Sequence, residues 1–109
     1  MLTKKSRNEI SIGVEIVVTW LKSNGFIHVS NKYDDVNSYI EADGKIGRIL
    51  VKVETFQSPK ERVKIPPDEV TTIKSIASTH QRDAWTAAVV LDKKKHLHGS
   101  IKWFDLSKY

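Results

Sequence analysis

The chain reads as an α/β domain with elements in the order helix, three strands, helix, two strands (αβββαββ), built on one mixed central sheet flanked by the helices. Three observations predict this. Apolar residues recur at spacings of three and four in two separate segments. β-Branched runs bounded by turn residues fill the rest of the chain. The second helical segment lies between strand candidates, where a crossover helix can close all the strands into a single sheet.

From Arg7 to Ser23, residues Ile10, Val14, Val17, Val18 and Leu21 fall on one helical face. The β-branched run Ile16 to Thr19 opposes a helix by propensity, but Asn24-Gly25 supplies a left-handed stop directly after Lys22-Ser23. Phe26 to Ser30, bounded by Gly25 and the polar run Asn31 to Asp35, is a first strand. Ser38 to Ala42 is a second. Asp43-Gly44-Lys45 carries turn chemistry, and Ile46 to Thr55 has the length and Val/Ile/Leu content of a central strand, so these two strands form a hairpin. Gln57 to Arg62 combines charge, a proline and no periodicity, which makes it a surface loop.

Pro66-Pro67-Asp68-Glu69 starts the second helix, because proline suits the first turn and carboxylates complement the positive end of the helix dipole. Val70, Ile73, Ile76 and Ala77 mark its buried face, which runs to His80. Ala84 to Leu91 is a buried strand paired with Ser100 to Leu106, and the basic turn Asp92 to Gly99 joins them.

A chain of 109 residues can bury one continuous apolar core, so residues 1–109 are expected to form a single domain. Hydrophobic residues at 39% and charged residues at 28% exclude a disordered or membrane-embedded class. The longest apolar stretches, Ile16 to Val18 and Ala87 to Leu91, are far too short to cross a bilayer, and Met1 to Lys5 is not followed by a signal-peptide core. A soluble, cytoplasmic protein is expected. With no cysteine, disulfides, thiolate zinc sites and cysteine nucleophiles are excluded. The net charge of +5 favours a polyanionic partner through long-range attraction.

Gly13-Val14-Glu15 with Trp20-Leu21 and Asn24-Gly25-Phe26-Ile27 resembles the opening helix and first strand of the PD-(D/E)xK nuclease superfamily, in particular Holliday-junction-resolvase-like and Mrr-type restriction members. Tyr39-Ile40-Glu41-Ala42, Gly44 and Ile49-Leu50-Val51-Lys52-Val53-Glu54-Thr55 resemble that family's Asp-Ile-x-Ala hairpin and Glu/Gln-x-Lys strand. The resemblance covers nearly the whole chain and implies a restriction-endonuclease-like fold, a nucleic-acid partner, Mg²⁺ or Mn²⁺ as cofactor if the site is active, and a homodimer. All three signature positions depart from the pattern. Tyr39 stands for the metal-binding Asp, Lys52 for Glu or Gln, and Glu54 for Lys.

Phosphodiester hydrolysis of this kind needs carboxylates around a hard divalent cation and commonly a lysine near the attacked phosphate. Residues two apart on a strand share a face, so Lys52 points with Glu54 and Tyr39 with Glu41. With Glu15 from the helix, the set Glu15, Glu41, Lys52 and Glu54 keeps the charge types of a catalytic site, and Glu15, Glu41 and Glu54 are its metal candidates. Exchanging Lys and Glu, however, moves each head group by about 6–7 Å along the strand, which metal coordination does not tolerate without rebuilding. The preferred reading is thus a domain that binds DNA, duplex or branched, and has lost or rearranged its cleavage site. The alternatives are an active metal-dependent endonuclease using the exchanged residues and a protein-interaction module.

The expected footprint on nucleic acid is Lys45, Arg48, Lys60, Arg62 and Lys64, together with Lys52 and the turn lysines Lys93, Lys94 and Lys95. His96-x-His98 lies in that lysine-rich turn with no third ligand nearby and reads as a solvated loop. No serine sits in a glycine-flanked elbow, and Gly44 and Gly47 belong to the hairpin rather than to a phosphate loop.

Overall fold

A computed structural model describes residues 7–31 and 39–109. Helix α1 (Arg7–Ser23) is followed by β1 (Ile27–Asn31), β2 (Tyr39–Gly44) and β3 (Gly47–Gln57). Then come α2 (Pro67–Thr79), β4 (Asp83–Leu91), β5 (Lys102–Asp105) and a short 3-10 turn, Leu106–Lys108. This is the expected α/β order. The polar run after Asn31, and Ser38, fall outside the described residues.

The strands form one five-stranded sheet in the order β1-β2-β3-β4-β5. β3 and β4 are parallel and the remaining neighbours antiparallel, because α2 carries the chain back to the starting end of the sheet before β4 begins. The strand period of two sorts the side chains of β3 between two layers. Ile49, Val51 and Val53 are buried with Val14, Val17 and Leu21 of α1, whereas Leu50 packs with Val70, Ile73 and Ala77 of α2. Each large apolar side chain buried in this way stabilises the fold by about 1.5–3 kcal/mol. Lys52 and Glu54 therefore share the face of Leu50 and lie toward α2.

α1 rests directly on β3. A Cβ at Gly13 would lie 2.1 Å from the Thr55 hydroxyl oxygen, so only glycine permits this approach. On the far side of α1 the indole of Trp103 packs between those of Trp20 (ring centroids 4.9 Å apart) and Trp85 (6.3 Å), closing the layer at β5.

Three local expectations are corrected. The β2–β3 turn is Lys45-Ile46, one residue later than Asp43-Gly44-Lys45, and Gly44 is the last residue of β2, paired with Gly47. Its lack of a side chain serves packing, since a Cβ there would meet the Phe26 ring at 2.6 Å. β5 is shorter than Ser100 to Leu106, because Asp105 caps a 3-10 turn by accepting from the Ser107 N–H and so bends the chain out of the sheet. β1 starts at Ile27, one residue late, and its pairing with β2 is interrupted by a bulge between Ile27 and Ser30, where His28 adopts a positive φ of 54°. Among the described residues no helix is long and apolar enough to cross a membrane.

Candidate functional site

The β2–β3 register places Tyr39 opposite Lys52 and Glu41 opposite Leu50. Tyr39, Lys52 and Glu54 line one depression of about 250 Å³ together with Asp68, Glu69, Thr72 and Ile73 of α2. The three signature positions are thus brought together. The Pro66-Pro67 start of α2 sets Asp68 and Glu69 in its first turn, above the second half of β3.

Arg62, from the loop between β3 and α2, closes this cluster. Its Nε donates to Glu54 Oε1 at 3.0 Å and its Nη2 to Glu54 Oε2 at 3.2 Å, a two-pronged contact. The same Nη2 donates to both Glu69 oxygens at 3.2 and 3.3 Å. The guanidinium also lies 5.8 Å from the centre of the Phe56 ring. Glu54 is 10% exposed and Arg62 22%, so solvent screens this contact only weakly. The hydrogen bond to Glu54 holds the Arg62 pKa above its ordinary value despite partial burial. Burial, followed by a hydrogen bond with Glu54 and repulsion from it, pushes the Glu69 carboxyl above the usual range, with Arg62 and Lys52 opposing the shift.

These residues do not fit a divalent ion. The oxygens of Glu54 and Glu69 are taken by one guanidinium, and Lys52 adds a second cation beside them. Among the described residues no three His, Asp or Glu side chains gather as a metal site would require. The arrangement can balance charge internally and hold the loop against strand and helix.

Glu15 and Glu41 stand apart from the cluster. Glu15 is exposed on α1, in the layer opposite Glu54, because successive residues of β3 alternate between the two helices. Glu41 shares the face of Tyr39 but sits at the other end of α2, where His80 Nδ1 lies 2.7 Å from its Oε2 and Arg82 Nε 3.6 Å from its Oε1. Arg82 also donates to Asp43 Oδ1 at 2.9 Å, to the Ala42 carbonyl at 3.1 Å and to the Ile49 carbonyl at 3.3 Å. Hydrogen bonds from His28 and then Arg82 lower the Asp43 pKa.

The basic residues divide between the two ends of the sheet. Lys45 and Arg48 lie at the β2–β3 turn, and Arg48 Nε is 3.9 Å from Asp43. Lys60, Arg62 and Lys64 follow the far end of β3, about 30 Å away by strand rise. The turn lysines follow the neighbouring end of β4. There Lys95 pairs with Glu9 at 2.9 Å, and Asp92 accepts the N–H groups of Lys94 and His96, which lowers its pKa.

Sequence reasoning treated Glu69 only as a dipole-compensating residue and missed Arg82 and His80. The only sequence signal for Glu69 was its place in the first turn after Pro66-Pro67. Nothing local pointed to Arg82 or His80, which meet their partners across about 40 residues of chain separation.

A five-stranded mixed sheet between two helices, in this element order, is the restriction-endonuclease-like architecture. A solved structure with the same fold is Hjc, a Holliday junction resolvase from the archaeal hyperthermophile Archaeoglobus fulgidus. The TM-score is 0.59 and the identity 15%, with 89% of this chain and 77% of that one covered. No protein-family model matches the sequence, and no curated protein sequence is significantly similar.

Proposed function

We propose that this chain, as one cytoplasmic nuclease-like domain over residues 1–109, binds DNA, duplex or branched, and that its cleavage site has been rearranged into an internal ion-pair network. The observation that carries the reading is Arg62, whose guanidinium serves Glu54 and Glu69 together. A carboxylate pair compensated by a fixed cation has little residual attraction for a mobile one. The net charge of +5, with Lys60 and Lys102 beyond ion-pair distance of any carboxylate among the described residues, supplies the attraction to polyanions.

Labelled duplex and four-way-junction DNA, incubated with the protein in EDTA, Mg²⁺ or Mn²⁺, tests both halves of the proposal. Binding that weakens as salt rises is expected, because neutralised phosphates release counterions, and the DNA should remain uncut in all three conditions. Metal-dependent cleavage that Glu54→Ala abolishes would overturn the reading in favour of an endonuclease using the exchanged residues. Absence of DNA binding would favour a protein-interaction module. The triple replacement Tyr39→Asp, Lys52→Glu, Glu54→Lys asks whether the scaffold still supports cleavage once the family's side chains are restored. Light scattering on the same samples checks the homodimer that the resemblance implies.

A further inference from the structure

A second depression, of about 420 Å³, opens beside the Arg62 network between Ser58–Arg62 and His98–Lys102. Its floor is Ala88 and Val90 of β4. The sheet register explains why it is there. Glu54, Ala88 and Lys102 lie side by side across β3, β4 and β5, and Ala88 is too small to fill the space between its neighbours. α2 starts above Glu54, as its Arg62-bridged Glu69 shows, and packs mainly on β4 and β3, sharing its apolar cluster with Phe104 of β5 and leaving Lys102 in the lining of the groove.

Charge distinguishes this groove from the network next to it. Lys60, His98 and Lys102 line it with Arg62, and Glu61 is its one acidic lining residue. Arg62 is already occupied by two carboxylates, whereas among the described residues neither Lys60 nor Lys102 lies within ion-pair distance of one. The Lys102 ammonium stands 5.6 Å from the centre of the Phe104 ring, which leaves its N–H groups available to an anion. At the hairpin end, by contrast, Asp43 gathers His28, Arg48 and Arg82.

We infer that this groove is the seat of the DNA phosphate backbone. Lys60 and Lys102 are its principal contacts, His98 lies at its rim, and Lys45 and Arg48 fall outside the footprint. The inference rests on the DNA-binding reading above and locates it. Two lysines acting as point charges either side of a shallow, small-residue floor suit successive phosphates on a strand and impose no base preference.

The test is fluorescence anisotropy on a labelled duplex at several salt concentrations, with three double variants that change net charge equally. Lys60→Glu with Lys102→Glu should weaken binding at least tenfold at low salt and lower the slope of log affinity against log salt by about 2. Lys22→Glu with Lys74→Glu, both remote from the groove, should weaken it less than threefold. Equal losses in these two variants would show a general charge effect and overturn the inference, as would a larger loss in Lys45→Glu with Arg48→Glu. Ser100→Glu places a negative charge in the groove without removing a lysine and should also weaken binding, and unchanged affinity there would count against the assignment. Far-UV circular dichroism confirms that each variant is folded. A wild type without DNA affinity would overturn the functional reading and this inference together, whereas a binding wild type with unaffected groove variants would overturn the inference alone.

Discussion

At the hairpin end of the sheet Arg82 faces Glu41 and Asp43, and at the opposite end Arg62 faces Glu54 and Glu69. The chemistry is the same, one guanidinium between two carboxylates, but the surroundings differ. Arg82 also satisfies two backbone carbonyls, on β2 and β3, so its network ties the sheet together. Arg62 arises from a loop and, among the described residues, its guanidinium bonds side chains alone, so its network tethers that loop over a strand and a helix start. The difference teaches that an arginine–carboxylate cluster declares its role through its remaining hydrogen bonds. Where these go to backbone the cluster holds up the fold, and where they do not it is free to have replaced something else.

Three measurements break or sharpen this contrast. The largest effect is expected for Arg82→Met, which leaves the Ala42 and Ile49 carbonyls without that donor and should destabilise the protein by about 2 kcal/mol in urea unfolding. Arg62→Met should cost less, about 1 kcal/mol at neutral pH, because it leaves no backbone carbonyl without a donor and Glu69, 38% exposed, can turn toward solvent. If the two losses were equal, or reversed, the assignment of a scaffold role to one end only would fail.

The smallest effect concerns pH, and the two ends should respond with opposite sign. The Asp43 pKa is lowered in the folded state, so its contribution is present above the ordinary value of 3.8 and is lost as pH falls through the folded value. The Glu69 pKa is raised, so its contribution is present below the ordinary value of 4.5 and is lost as pH rises through the folded value. Urea midpoints measured across the acid range should therefore show a shallower acid loss in Asp43→Asn, and in Glu69→Gln the disappearance of a decline that begins above 4.5. Shifts of the same sign in both variants would contradict the contrast.

Much of this molecule is legible without coordinates. The three-and-four spacing of Val14, Val17 and Leu21, the β-branched run in β3 and the proline start of α2 determined the elements and their order, because hydrophobic periodicity and turn chemistry act within a few residues. Period two alone placed Lys52 and Glu54 on one face. What only the tertiary structure decided is which partners those residues meet. Arg62 reaching Glu54 and Glu69, Arg82 reaching Asp43, and the Glu54, Ala88 and Lys102 row beneath the groove depend on strand register and on which layer each helix covers. The separation of Glu15 and Glu41 from Glu54 has the same origin. Side-chain charge is a property of single residues, but its compensation requires groups far apart in the chain to come within about 4 Å, and only packing brings them there.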